Sequence, residues 1–71
     1  MTTVHSQAKV DPTAEVDANS SVGPGAVVEA GAVLRGSVIW PGARVAAGAV
    51  LTLCIVRSGQ TASGVLTDVD L

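Results

Sequence analysis

The sequence predicts an all-β fold in which the chain winds as a parallel β-helix of about three coils, with three short strands to each coil. Three observations carry this prediction. One phrase is written three times, as VGPGAV from Val22, VEAGAV from Val28 and VAAGAV from Val45. Aliphatic residues recur every five or six places from Val10 to Val56. Gly and Pro fall inside those steps too often for a helix, because an interior Gly costs ~1 kcal/mol and an interior Pro ~3 kcal/mol relative to Ala.

Each strand is placed by one aliphatic residue that points inward: Val10, Val16, Val22, Val28, Leu34, Ile39, Val45, Leu51 and Val56, with Ala62 in the next place. Steps are of six residues, except for two of five after Leu34 and Leu51. Three steps make a coil, which spans 18 residues from Val10 to Val28 and then 17 to Val45 and 17 to Ala62. The two 17-residue units share Val28/Val45, Ala30/Ala47, Gly31/Gly48, Ala32/Ala49, Val33/Val50, Leu34/Leu51 and Gly42/Gly59, a strong repeat for so short a chain.

Three places after the corners stand Thr13, Asn19, Gly25, Gly31, Ser37, Gly42, Gly48, Cys54 and Gly59, where a sharp turn favours residues that tolerate positive φ. One place further stand Ala14, Ser20, Ala26, Ala32, Val38, Ala43, Ala49, Ile55 and Gln60, mostly small, as three converging sheets require. Pro24 and Pro41 share one offset and read as turn residues. The chain thus divides into residues 1–9 as a disordered leader or tag, 10–66 as the β-helix and 67–71 as a tail.

Composition bounds the rest. The 71 residues make one small domain, 48% apolar with Trp40 as the sole aromatic, so the core is built from Val, Ala, Leu and Ile. A net charge of −2 leaves no electrostatic footprint for nucleic acid. No apolar run approaches the ~20 residues of a membrane span. A single cysteine, Cys54, closes no internal disulfide, and the expected compartment is the cytoplasm.

The six-residue pattern resembles the hexapeptide-repeat family, and that resemblance implies a left-handed parallel β-helix. The stretch AVLRGSVIWPGARVAAGAVLTLCIVRSGQ, Ala32 to Gln60, with SVIW and CIVR at matching places, is similar to the C-terminal β-helix of sugar-1-phosphate nucleotidyltransferases. Mannose-1-phosphate guanylyltransferase and glucose-1-phosphate nucleotidyltransferase relatives are the nearest in pattern. The resemblance implies that catalysis belongs to an N-terminal Rossmann-like domain, while the β-helix assembles subunits. Lys9 is the only lysine, and the chain has neither a glycine-rich nucleotide loop nor an Asp pair placed for magnesium. The expectation is a non-catalytic module for oligomerisation or scaffolding, without cofactor or metal, its catalytic domain missing.

The alternative is a subunit of a hexapeptide-repeat acyltransferase using acyl-CoA, with a histidine deprotonating the acceptor. His5 is the only histidine and precedes the first coil; a lone histidine also cannot make a three-histidine zinc site. Gly23-Pro24-Gly25 opens no helix and reads as a turn rather than a phosphate loop, and Cys54 reads as a structural thiol. The outward apolar residues are the candidate contacts. Val33 and Val50 stack one period apart beside Ala30 and Ala47, Leu53 adjoins them, and Trp40 lies on the third face with Arg57 one period above. They are expected to join copies into a trimer or dimer, or to meet the missing N-terminal domain.

Overall fold

The structure, a computed structural model, describes residues 3–4 and 8–71; His5 lies outside the described residues. Twelve strands of two or three residues follow one another: β1 Thr3–Val4, β2 Lys9–Val10, β3 Glu15–Val16, β4 Ser21–Val22, β5 Val27–Val28, β6 Val33–Arg35, β7 Val38–Ile39, β8 Arg44–Val45, β9 Val50–Thr52, β10 Ile55–Val56, β11 Thr61–Ala62 and β12 Val65–Thr67. Among the described residues there is no helix. Every strand pairs in parallel with the third strand on, which gives three four-stranded sheets around one interior. We name them by first strand: sheet A is β1-β4-β7-β10, sheet B is β2-β5-β8-β11 and sheet C is β3-β6-β9-β12. The chain is a parallel β-solenoid of about three turns.

The register follows from the spacing of the aliphatics. Val22 lies beside Ile39 and Ile39 beside Val56 in sheet A, Val10, Val28, Val45 and Ala62 align in sheet B, and Val16, Leu34, Leu51 and Leu66 align in sheet C. Val22, Val28, Leu34, Ile39, Val45, Leu51 and Val56 are buried; Val10 and Val16 are half-buried and pack against the same cluster. Burying each large aliphatic contributes ~1.5 to 3 kcal/mol, so this axial column is the main source of stability.

Glycines at positive φ set most corners, two of them as Pro–Gly turns. Gly23-Pro24-Gly25-Ala26 and Trp40-Pro41-Gly42-Ala43 are closed by Ala26 N donating to Gly23 O at 3.2 Å and Ala43 N to Trp40 O at 3.1 Å. Gly25 and Gly42 lie at φ 72° and 75°, the third-position geometry of a type II turn, where a side chain would be strained.

The five-residue steps are built differently from the expectation. Ser37 and Cys54 do not carry the positive φ; Gly36 at 59° and Leu53 at 54° do. Nor do Val38 and Ile55 point inward, since both are exposed, while Ser37 and Cys54 are buried. The residue removed from each short step is taken from the turn, so the small interior place lies two before the next aliphatic. Ser20, Ala26, Ala32, Ser37, Ala43, Ala49 and Cys54 all obey that count and are buried. Thr13 and Asn19 lack positive φ as well, because aspartate side chains close those two turns.

Both ends extend past the 10–66 span. β1 pairs with β4 within the nine residues assigned to a leader. Beyond residue 66, Ile55 N donates to Val69 O at 2.9 Å and Leu71 N to Ile55 O at 2.8 Å, so the tail lies along β10.

Candidate functional site

The outer surface is uneven in a way that follows from which residue precedes each inward aliphatic. On sheet B those residues are Lys9, Val27, Arg44 and Thr61, and Arg44 Nε stands 3.4 Å from Glu29 Oε2, a solvent-exposed pair. On sheet C they are Glu15, Val33, Val50 and Val65. Val33 and Val50 are adjacent and half-buried, and Val65, 76% exposed, extends the column. On sheet A, Val38 and Ile55 are register neighbours, exposed at 38% and 36%.

Leu53 occupies the corner between sheets C and A and is 59% exposed. Val33, Val50 and Val65, then Leu53, then Val38 and Ile55 form an apolar band around a single edge of the prism, interrupted between the valines and Leu53 by the outward column Arg35, Thr52 and Thr67. Ala30 and Ala47 are exposed on the turns between sheets B and C, at the far margin of this band. Trp40, 44% exposed, sits on the turn that leaves sheet A, at the opposite margin. The Arg57 guanidinium lies over it at 5.9 Å from the ring centroid, within reach of a cation–π contact. Val38, Ile55 and Val65 escaped the sequence reading; counting back from the next inward aliphatic would have found the first two.

Polar groups serve the scaffold. Ser20 Oγ accepts from Ser37 N at 3.0 Å, and Ser37 Oγ accepts from Cys54 N at 3.3 Å and donates to Leu51 O at 3.2 Å. Cys54 Sγ donates to Thr52 O at 3.3 Å, so its buried thiol ends an internal ladder rather than facing a base. Asp17 Oδ1 accepts from Ser20 Oγ at 2.7 Å and Gly36 N at 3.1 Å, tying one coil to the next. These bonds, led by Ser20, hold its carboxyl below the ordinary aspartate range. Asp11 is lowered in the same way, by the hydroxyl and then the amide of Thr13.

No three His, Cys, Asp or Glu side chains among the described residues are grouped to hold a metal ion. No helix among them is long and apolar enough to cross a membrane. What the surface offers chemically is apolar contact. Residues 1–65 match the family described as the GMPPB C-terminal domain. No curated protein and no solved structure matches the chain.

Proposed function

The chain belongs to the GMPPB C-terminal domain family, a β-helix module of nucleotidyltransferases, and from that premise we propose that it is a non-catalytic assembly module. It joins copies of itself into a dimer or trimer through the band centred on Leu53, and presents a catalytic domain, on the same or another chain, along the prism. The cytoplasm, where a lone buried thiol stays reduced, is the compartment we propose.

One observation carries this reading. Leu53 holds a left-handed backbone that costs a β-carbon residue ~1 to 2 kcal/mol, yet leaves more than half of its side chain in water. The same corner is filled by Gly36 one coil earlier and Asp68 one coil later, both at similar φ. An exposed leucine in a strained place adds little to the isolated prism and much to a contact.

The test replaces Val33 and Val50 together with Asp. Light scattering should report a lower mass, with β-type circular dichroism retained; an unchanged mass would place the contact on another face.

A further inference from the structure

The corner where sheet C hands over to sheet A is held by a column of peptide groups. The peptide between Arg35 and Gly36 is bonded at both poles. Its N–H, on Gly36, donates to Asp17 Oδ1 and Oδ2 at 3.1 and 3.2 Å. Its carbonyl, on Arg35, accepts from Leu53 N at 2.8 Å. The next peptide repeats the pattern, with Thr52 O accepting from Asp68 N at 2.9 Å. Gly36, Leu53 and Asp68 thus stack with their N–H groups directed toward Asp17, and they share one backbone shape, at φ 59°, 54° and 58°. The Asp17 carboxyl is itself fixed, since Oδ1 also accepts from Ser20 Oγ at 2.7 Å and Asn19 N at 3.2 Å. Leu53 meets this base through its side chain as well. A β-carbon at Gly36 would stand 2.9 Å from Leu53 Cδ2, so glycine leaves the space that side chain takes.

We propose that Asp17 is a positioning residue for Leu53: its ionised carboxylate caps the column that holds Leu53 in its left-handed, outward pose, and assembly through Leu53 requires that charge. Aligned peptide dipoles leave positive charge at their N–H end, as at a helix N-terminus, where a carboxylate is stabilising. Chained hydrogen bonds polarise one another, so the bond to Asp17 strengthens the one that the same peptide accepts from Leu53. A leucine at positive φ persists only where its surroundings over-determine it, and this column does so. The other charged groups near Asp17 are Glu15 on β3 and Arg35, which follows the register partner of Val16; Ser21 and Val38 beside the corner are uncharged. Asp68 is the second carboxyl of the column, one coil above Leu53. Hydrogen bonds from Ser20 and then Gly36 lower the Asp17 pKa, so the cap is complete above pH ~3.8 and is lost as pH falls through the folded value. The consequence for assembly rests on the reading of Leu53 as a contact.

The experiment follows the Gly36 and Leu53 amide shifts by NMR against pH, and association by sedimentation equilibrium, in the parent, Asp17→Asn and Leu53→Gly. In the parent both amides should move together with the Asp17 carboxyl; in Asp17→Asn they should be displaced already at neutral pH, and any acid shift left at Leu53 belongs to Asp68. Association of Asp17→Asn at neutral pH should weaken by about five- to fiftyfold, the upper end being loss of Leu53 altogether. Amides that ignore the Asp17 titration overturn the cap. Association like the parent's in Asp17→Asn, with Leu53→Gly weakened, overturns its role in assembly. If Leu53→Gly also associates like the parent, the contact reading has failed instead, and the amide shifts alone decide the positioning. Val38 and Trp40, bonded to Cys54 O and Val56 O inside sheet A, report by their protection whether the prism is folded. Should Asp17→Asn unfold, the parent's pH series decides; should the parent unfold in acid first, Asp17→Asn at neutral pH does.

Discussion

Replacing Leu53 with Gly separates what a residue does for its own fold from what it does for assembly. Gly relieves ~1 to 2 kcal/mol of left-handed strain. Against this, the side chain is 59% exposed, so about two-fifths of the ~2 kcal/mol that a leucine gains on burial, ~0.8 kcal/mol, is lost. The freer unfolded chain of a glycine costs a further ~0.5 to 1 kcal/mol. These terms nearly cancel, and urea unfolding of dilute Leu53→Gly should fall within ~1 kcal/mol of the parent. The unburied remainder, ~1.2 kcal/mol per copy, is available only to a contact. In a two-fold dimer both copies lose it, which weakens association by roughly fiftyfold, readable by sedimentation equilibrium. Leu53→Asn, which also tolerates this backbone, should behave alike. A variant destabilised by more than ~2 kcal/mol with its assembly intact would refute the reasoning, because Leu53 would then be a core residue in disguise.

Four other outcomes follow from the interior and the turns. Ser37→Ala leaves the buried Cys54 N–H without its acceptor and should cost ~1 to 3 kcal/mol in urea unfolding. Cys54, fully buried, should react with a thiol reagent only at the rate of opening, and speed up with denaturant. Gly23→Ala would set a β-carbon 2.8 Å from Pro41 N and 2.9 Å from its ring, neither of which can retreat, at a cost of ~1 to 3 kcal/mol. Asp17 has a depressed pKa in the fold, so its contribution is complete above the unfolded value near 3.8 and is lost as pH falls through the folded value. Asp17→Asn should therefore lower stability at neutral pH and flatten the acid limb below pH ~4, measured as urea midpoints against pH.

What was legible in the sequence is what the turns and the interior demand at every coil. Nine aliphatics, Val10 to Val56, announced the register because a position that faces one narrow axis admits few side chains. The leader was harder. Val4 stands six residues before Val10, in step with the series, and Ala8 takes the small place two before Val10, but no Gly or Asn stands at the turn between them to mark a coil. Ala62 to Leu66 is a step of four, turned through Gly64 at φ 74°, and a shortened step breaks the count on which the tail's pairing could have been read.

The misplacement of Val38 and Ile55 shows where such reading loses function. A repeat is recognised by positions that must be alike, and those shape backbone. The surface that distinguishes one prism from another lies at positions the fold leaves free, and in the five-residue steps, where the constraint changes, those positions were assigned to the interior. Counting forward from Leu34 carries the phase of a six-residue step across a missing residue, so Val38 inherits the place of an alanine. Counting back from Ile39 preserves the phase, because the inward aliphatic and the small residue two before it sit on the same side of the gap. The correction changes the functional argument as well as the packing. With Val38 and Ile55 turned outward, Leu53 has an apolar column on its sheet A side and is parted from the valines of sheet C only by Arg35, Thr52 and Thr67, and a strained, exposed leucine at that corner becomes the feature an assembly surface explains best.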